Sequence, residues 1–152
     1  MEEAATPRTQ GLGLSLLLIR HARAGERAEW TGDDRRRPLD KRGWRQAEHL
    51  VELLAPYDVD RIVSSPYDRC VQTVEPLARA RELPVEPREE LGEELQDTAG
   101  VALLRLLAGT PVAVSCHGGL SDVVVGERQK KGETIILNLQ SDRLVVEERL
   151  RA

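Results

Sequence analysis

The sequence contains no phenylalanine, only two tyrosines and only two tryptophans. Single-stranded nucleic acids stack their bases on aromatic side chains, so this scarcity argues against that class of ligand. Positive charge is also in the minority, because 22 lysines and arginines stand against 26 aspartates and glutamates, for a net charge of -4. The chain therefore lacks the charge that general binding to nucleic acid or to an anionic membrane requires. Its core must be built from aliphatic side chains.

Cysteine is equally scarce, since the chain has only Cys70 and Cys116. Two cysteines are too few for a disulfide framework, and the cysteine and histidine spacings match no zinc site. We expect both thiols to be small buried groups in a cytoplasmic protein. No metal or cofactor is expected.

Long apolar runs are absent too, because no segment approaches the ~20 residues needed to cross a bilayer. Residues 12–19 imitate the apolar part of a signal peptide, but the acidic Glu2 and Glu3 precede them, which argues against secretion. With 152 residues, of which 40% are hydrophobic, the chain fits one globular domain. We expect a mobile tail at residues 1–11 and a single domain over 12–152.

Short apolar runs alternate with helix-like periodicity along the chain. Strands are predicted at 14–20, 61–64, 83–87, 111–116, 133–139 and 143–148, and helices at 40–55, 65–81 and 98–108. Ser65 is expected to cap the second helix, with Pro66 as its first residue. This alternation predicts an α/β fold, a three-layer sandwich whose mixed, mostly parallel central sheet is flanked by helices.

Candidate site residues follow from that fold. Ligands in open α/β sheets bind beyond the carboxyl ends of strands. Arg20 and His21 follow the first strand, Arg69 comes soon after the second, and His117 follows Cys116. By contrast, His49 lies opposite the apolar stripe of its helix and is expected to be an exposed surface residue.

Two histidines and two arginines at strand ends suit phosphate chemistry. A neutral imidazole can attack phosphorus and form a phosphoramidate. Guanidinium groups match phosphoryl oxygens in paired, charge-assisted hydrogen bonds. A second, protonated histidine would stabilise the charge of the transition state.

Four segments resemble the histidine phosphatase superfamily, in its phosphoglycerate mutase-like branch. They appear in the family's order and read LIRHA at 18–22, PLDKRGWRQA at 38–47, SSPYDRCVQT at 64–73 and SCHG at 115–118. The likeness is greatest to short bacterial phosphohistidine phosphatases and to the phosphatase domain that some Nudix hydrolases carry.

This resemblance implies roles for particular residues. His21 would be the nucleophile and His117 a second catalytic group. Arg20, Arg69 and His117 would bind the phosphate, and Arg23, Ser65 and Gly118 are further candidates for substrate binding. The family's proton donor is usually an acidic residue before the fourth segment, where LxE matches Leu91 to Glu93. Glu93 is therefore expected in that role, with Glu94 as the alternative.

The implied activity is that of a metal-independent phosphatase with a phosphohistidine intermediate. Longer relatives carry a cap over the site, and its lack here favours a substrate presented on a large surface, such as protein phosphohistidine. Small phosphate or nucleotide esters are the competing substrates, and a catalytically silent module that binds a phospho-ligand or protein is the third alternative. Residues 35–37 are expected to form a solvated loop, and the short segment after His117 to leave that wall of the site open or remodelled. Oligomeric state is not predicted.

Overall fold

The structure is a computed structural model that describes residues 15–152. The strands are β1 (Leu16–Arg20), β2 (Arg61–Ser64), β3 (Val85–Pro87), β4 (Val112–Cys116), β5 (Glu133–Gln140) and β6 (Arg143–Arg151). The helices are α1 (Lys41–Leu53), α2 (Asp68–Arg81), α3 (Val101–Leu107) and α4 (Gly118–Val125). The expected tail at 1–11 and the first residues of the expected domain lie outside the described residues.

One six-stranded sheet has the order β3-β2-β4-β1-β5-β6. The first four strands of that order run parallel to one another. β5 pairs with β1, and β6 with β5, in antiparallel fashion. This arrangement confirms the mixed, mostly parallel sheet, and it brings the carboxyl ends of β1, β2 and β4 to one edge.

The side chains of β1 alternate between two buried layers, as the pleat of a strand requires. Leu17 and Ile19 face a cluster that includes Leu50 of α1 and Leu77 of α2. The other face receives Leu16 and Leu18, which pack with Leu103, Leu104 and Leu107 of α3 and with Leu120 of α4. Helices therefore cover both faces of the sheet, which confirms the three-layer sandwich. Within residues 15–152, no helix is long and apolar enough to span a membrane.

Helix α1 is tied to the loop that follows β1. Asp40 caps the helix by accepting a hydrogen bond from Gly43 N at 2.8 Å, and it also accepts one from Gly25 N at 3.2 Å. Gln46 accepts a hydrogen bond from Arg23 N at 2.9 Å. A Cβ atom at position 43 would lie only 1.9 Å from Arg23 O, so only glycine permits this approach. The segment at 38–47 thus positions the chain just beyond His21.

The predicted start of α2 is wrong. The helix begins at Asp68 with Tyr67 as its N-cap residue, and no side chain caps it. Ser65 lies before the helix, where its backbone N donates to Ser115 O at 2.9 Å and continues the pairing of β2 with β4 by one residue. Its Oγ accepts from Tyr67 N at 3.3 Å, ahead of the first turn of α2, and also lies 3.0 Å from His117 Nε2. The segment directly after His117, for which no element is predicted from the sequence, forms helix α4.

Candidate active site

A polar cavity of about 340 Å³ lies at the carboxyl ends of β1 and β4. Five residues predicted from the sequence line it, namely Arg20, His21, Glu93, His117 and Gly118. Six polar residues that were not predicted for the site also line it, namely Glu26, Arg27, Arg37, Gln96, Arg128 and Lys131. The segment after His117 therefore supplies a basic wall through Arg128 and Lys131, so of the two alternatives this side is remodelled rather than open.

His21 is held as a neutral imidazole with one defined tautomer. Its backbone N donates to Cys116 O at 3.0 Å, and its Nδ1 lies 2.8 Å from Ala22 O. A carbonyl oxygen can only accept, so Nδ1 carries the proton and Nε2 keeps its lone pair. Burial, assisted by the charges of Arg69 and Arg20, lowers the pKa of His21 to about 3. An unprotonated imidazole with a free Nε2 is the form that attacks phosphorus.

His117 lies edge-on to His21, with 5.6 Å between the ring centroids. Its Nε2 contacts Ser65 Oγ, and its Nδ1 lies 3.6 Å from Glu93 Oε2. Burial first, and then the nearby His21 and Arg69, lower the pKa of His117 to about 2. Burial and the nearby positive charges of Arg69 and Arg27 therefore favour a neutral His117, against the expectation of a protonated second histidine.

Arg20 lines the cavity with part of its donor capacity unused. Its NH1 donates to Gln129 O at 2.6 Å, while its buried Nε has no hydrogen-bond partner among residues 15–152. A Cβ atom at position 118 would lie 2.8 Å from both Cζ and Nε of Arg20. Gly118 therefore serves the site by leaving room for this guanidinium group.

Arg69 lies behind the cavity rather than on its lining. Its side chain is fully buried, with NH1 donating to Asp34 O at 2.8 Å and NH2 to Asp34 Oδ2 at 3.1 Å. The same NH2 is 3.5 Å from Glu93 Oε2. Arg69 thus brings charge to the site through its contacts with two carboxylates.

Glu93 is the glutamate that the structure brings to the histidines. Its Oε2 accepts a hydrogen bond from Arg27 NH2 at 2.9 Å and lies near both Arg69 and His117. The side chain of Glu94 is exposed and does not line the cavity. The geometry supports Glu93 over Glu94 as the candidate proton donor, a role that stays a prediction.

The loop between β1 and α1 contributes residues that sequence reasoning missed. Asp34 accepts from Arg37 Nε at 2.9 Å, and it pairs with Arg69 and Arg27 through its other oxygen. Burial acts to raise the pKa of Asp34, but the hydrogen bond from Arg37 and the charge of Arg69 hold it below its usual value. Arg37 is only 7% exposed and donates to Ala24 O, so the expectation of a solvated loop is wrong at this position. This loop lacks periodicity, and only its density of charged residues could have indicated a role.

Besides Arg69, the sequence candidates Ser65 and Arg23 do not line the cavity. Ser65 is buried behind His117, and it acts on the site only through that ring. Arg23 pairs with Asp40 at 2.9 Å and lines a separate cavity.

His49 is exposed, as expected, and both cysteines are buried. Burial raises the pKa of Cys70 to about 12, which leaves its thiol unreactive. Within the described part of the chain, no group of three or more histidine, cysteine, aspartate or glutamate residues could hold a metal ion.

The buried histidines predict a loss of stability in mild acid. An unfolded histidine titrates near its ordinary pKa of 6.5, whereas His21 and His117 titrate near 3 and 2 in the folded protein. Between these values the unfolded state binds more protons, so the free energy of unfolding falls as the pH falls below about 6.5. Each histidine contributes up to about 1.4 kcal/mol per pH unit. Urea unfolding from pH 7.5 to 4.5 should therefore show a shallower slope for His21→Asn than for the wild type. Equal slopes would contradict the buried, neutral state of His21.

Comparisons with known proteins agree with this geometry. Residues 16–103 match the family model described as histidine phosphatase superfamily (branch 1). A protein of Mycolicibacterium smegmatis named 8-oxo-(d)GTP phosphatase is 36% identical over 150 residues, which cover 86% of this chain and 46% of that protein. This chain spans less than half the length of the curated relatives that it matches.

Two solved structures show the same fold. The protein histidine phosphatase SixA, complexed with tungstate, has a TM-score of 0.75 at 21% identity, covering 90% of this chain and 96% of that one. A phosphoserine phosphatase of Entamoeba histolytica, complexed with 3-phosphoglyceric acid, has a TM-score of 0.73 at 15% identity, covering 91% and 97%. Together with the family match and the four ordered segments, they lead to one conclusion: the chain belongs to the histidine phosphatase superfamily.

Proposed function

We propose that this protein is a metal-independent phosphatase that forms a phosphohistidine at His21. The observation that carries this proposal is the state of His21 itself. Its imidazole is neutral, its Nδ1 is fixed on Ala22 O, and its Nε2 is left unprotonated in a cavity lined by cationic side chains. A site that only binds phosphate has no need for a histidine held in this nucleophilic form, which counts against a silent binding module.

The reaction would proceed in two displacements at phosphorus. In the first, Nε2 of His21 forms a bond to phosphorus while the bond to the leaving group breaks, and Glu93 donates a proton to that group. In the second, water attacks the phosphoramidate, Glu93 takes a proton from that water, and Nε2 regains its lone pair. Arg20 and Arg27 would stabilise the phosphoryl oxygens, with Arg69 holding Glu93 from behind.

Protein phosphohistidine is the substrate class that we propose first, since the sequence shows no cap that would limit access to the cavity. Nucleotide or other small phosphate esters are the second candidate. The specific observation in their favour is the 36% identity to a mycobacterial protein named for a nucleotide substrate. Phosphorylated carrier proteins, nucleotides and sugar phosphates assayed side by side would rank these classes.

Turnover of p-nitrophenyl phosphate in the presence of EDTA tests the proposed function directly. Because the mechanism needs only protein groups, we expect the rate of p-nitrophenolate release to be the same with and without EDTA. A protein that only binds phospho-ligands would give no turnover. Loss of activity with EDTA, restored by added divalent metal, would instead show metal-dependent chemistry.

Replacing Arg20, which lines the cavity, or Arg69, which brings positive charge to the site from behind it, should weaken both catalysis and anion binding. A charge-assisted hydrogen bond is worth about 1.5 to 3 kcal/mol, so Arg20→Ala and Arg69→Ala should each lower kcat/KM roughly ten- to a hundredfold. Inhibition by vanadate should weaken in parallel. Steady-state kinetics with vanadate titrations would measure both effects, and Arg69→Lys would serve if the alanine variant fails to fold. Arg36, which is exposed and outside the cavity, gives the matched control Arg36→Ala. A control as damaged as Arg20→Ala would place the anion site elsewhere.

A further inference from the structure

A second cavity, of about 370 Å³, adjoins the first and carries four cationic side chains. Its lining consists of Arg23, Arg42, Arg45, Gln46 and Lys131. Lys131 also lines the catalytic cavity, so one ammonium group connects the two spaces. Every side chain of this second cavity can donate hydrogen bonds.

The second cavity is held in place by the backbone of the catalytic site. Gly132 N donates to Arg20 O at 3.2 Å and to His21 O at 3.1 Å, which fixes the residue directly after Lys131. Gln46 of α1 donates through Nε2 to Lys131 O at 3.3 Å, and it accepts from Arg23 N. The backbone that carries this cavity is therefore held at a fixed distance from His21, while the side chains of Arg42, Arg45 and Lys131 extend from it and are exposed.

The charge of this cavity is unbalanced. Asp40 neutralises Arg23, with 2.9 Å between Oδ2 and Nε. Within residues 15–152, no carboxylate forms an ion pair with Arg42, Arg45 or Lys131. Like charges gathered at a concave surface repel one another, and an anionic group bound among them relieves that repulsion. Guanidinium groups favour oxyanions that accept two hydrogen bonds at once, as phosphate does.

We propose that the second cavity binds a second phosphate group of the same substrate molecule while the first phosphate reacts at His21. This inference rests on the proposed function with its second substrate class, the small phosphate esters, and it narrows that class to molecules with two phosphate groups joined by a spacer. The shared position of Lys131 implies that both groups belong to one ligand, because it can contact either end. Arg23, near the nucleophile in sequence but directed away from its cavity, then has a role in substrate selection.

Bisphosphates of increasing length test this proposal without assuming the natural substrate. The bisphosphates of 1,2-ethanediol, 1,4-butanediol and 1,6-hexanediol would each be compared with the corresponding hydroxyalkyl monophosphate. A bisphosphate offers two equivalent reacting groups, so a twofold advantage in kcat/KM is purely statistical. We expect at least one spacing to exceed its monophosphate by about tenfold or more in the wild type. In Arg42→Ala/Arg45→Ala, that advantage should shrink to about the statistical twofold.

The variant Arg79→Ala/Arg143→Ala is the matched control. Both of its arginines are exposed and neither lines either cavity, so the same charge is removed and the advantage should persist. No advantage at any spacing would overturn the proposal, and so would an advantage that survives in Arg42→Ala/Arg45→Ala. Wild-type turnover of the monophosphates separates these outcomes from a failure of the proposed function, because that failure would abolish turnover of every compound in the series.

Discussion

His21→Ala is expected to reduce turnover of p-nitrophenyl phosphate to less than about one percent of the wild-type rate. The reason is that the Nδ1 of His21 is fixed on Ala22 O, which leaves its Nε2 lone pair for attack, whereas the Nε2 of the other neutral histidine, His117, is engaged by Ser65 Oγ. The side chain of His21 contributes little to folding, since its hydrogen bond goes only to Ala22 O, one residue away. Steady-state kinetics, with circular dichroism to confirm the fold, would measure the loss.

The phosphorylated intermediate itself gives a second measurement. Quenching during turnover without acid should trap phosphate on the wild-type protein in a form that acid releases and alkali does not, as expected of a phosphoramidate. His49→Ala is the matched control, because His49 is exposed on α1 and should leave both rate and adduct unchanged. Residual activity of His21→Ala above one percent would contradict a phosphohistidine intermediate at His21. An adduct released by alkali would indicate an acyl phosphate on a carboxylate such as Glu93.

Glu93→Gln should slow the release of alkyl alcohols far more than the release of p-nitrophenolate. An alkoxide is a poor leaving group and must be protonated as its bond to phosphorus breaks, whereas p-nitrophenolate leaves almost unaided. A general acid contributes roughly 10²- to 10⁴-fold, so turnover of an alkyl phosphate should fall by about that factor. The substitution keeps the size of the side chain and removes the transferable proton. Rates for a series of phosphate esters with leaving groups of increasing basicity would measure the effect.

The neighbouring Glu94 supplies the control for this substitution. Glu94→Gln changes an exposed residue outside the cavity and should leave both classes of substrate unaffected. The reverse pattern would transfer the role to Glu94. Equal slowing of alkyl and p-nitrophenyl phosphates by Glu93→Gln would exclude a proton donor, and would leave Glu93 as a partner that orients Arg27 and Arg69.

The strand-borne part of the site could be predicted from the sequence because it follows from periodicity. A buried strand is read from its apolar run, and the residue after it is then placed at the sheet edge by geometry alone. Arg20, His21 and His117 are positioned in this way. Glu93 was indicated only by the resemblance to a family, since an isolated glutamate in an acidic segment carries no periodic signal.

The part of the site that lies on the loop between β1 and α1 could not be predicted, because this loop has no periodic pattern. Asp34 reaches the site through its ion pair with Arg69 of α2, a tertiary contact that no local pattern encodes, and Arg37 pairs with that same Asp34. Ser65 misled because a serine before a proline is typical of a helix cap. Its backbone instead pairs with Ser115 of β4, and local sequence does not reveal such a tertiary contact.

The position of β4 between β1 and β2 determines at which stage of folding the phosphate site can form. β1 and β2 are not neighbours in the sheet, so a growing polypeptide that has made both strands still lacks the strand that pairs with each of them. Only when β4 inserts does one strand bridge them and bring His117 beside His21. Closing such long stretches of chain is entropically slow, and topologies rich in distant contacts fold slowly. The phosphate site should thus appear late and in a single event during refolding, with no half-built form that binds vanadate.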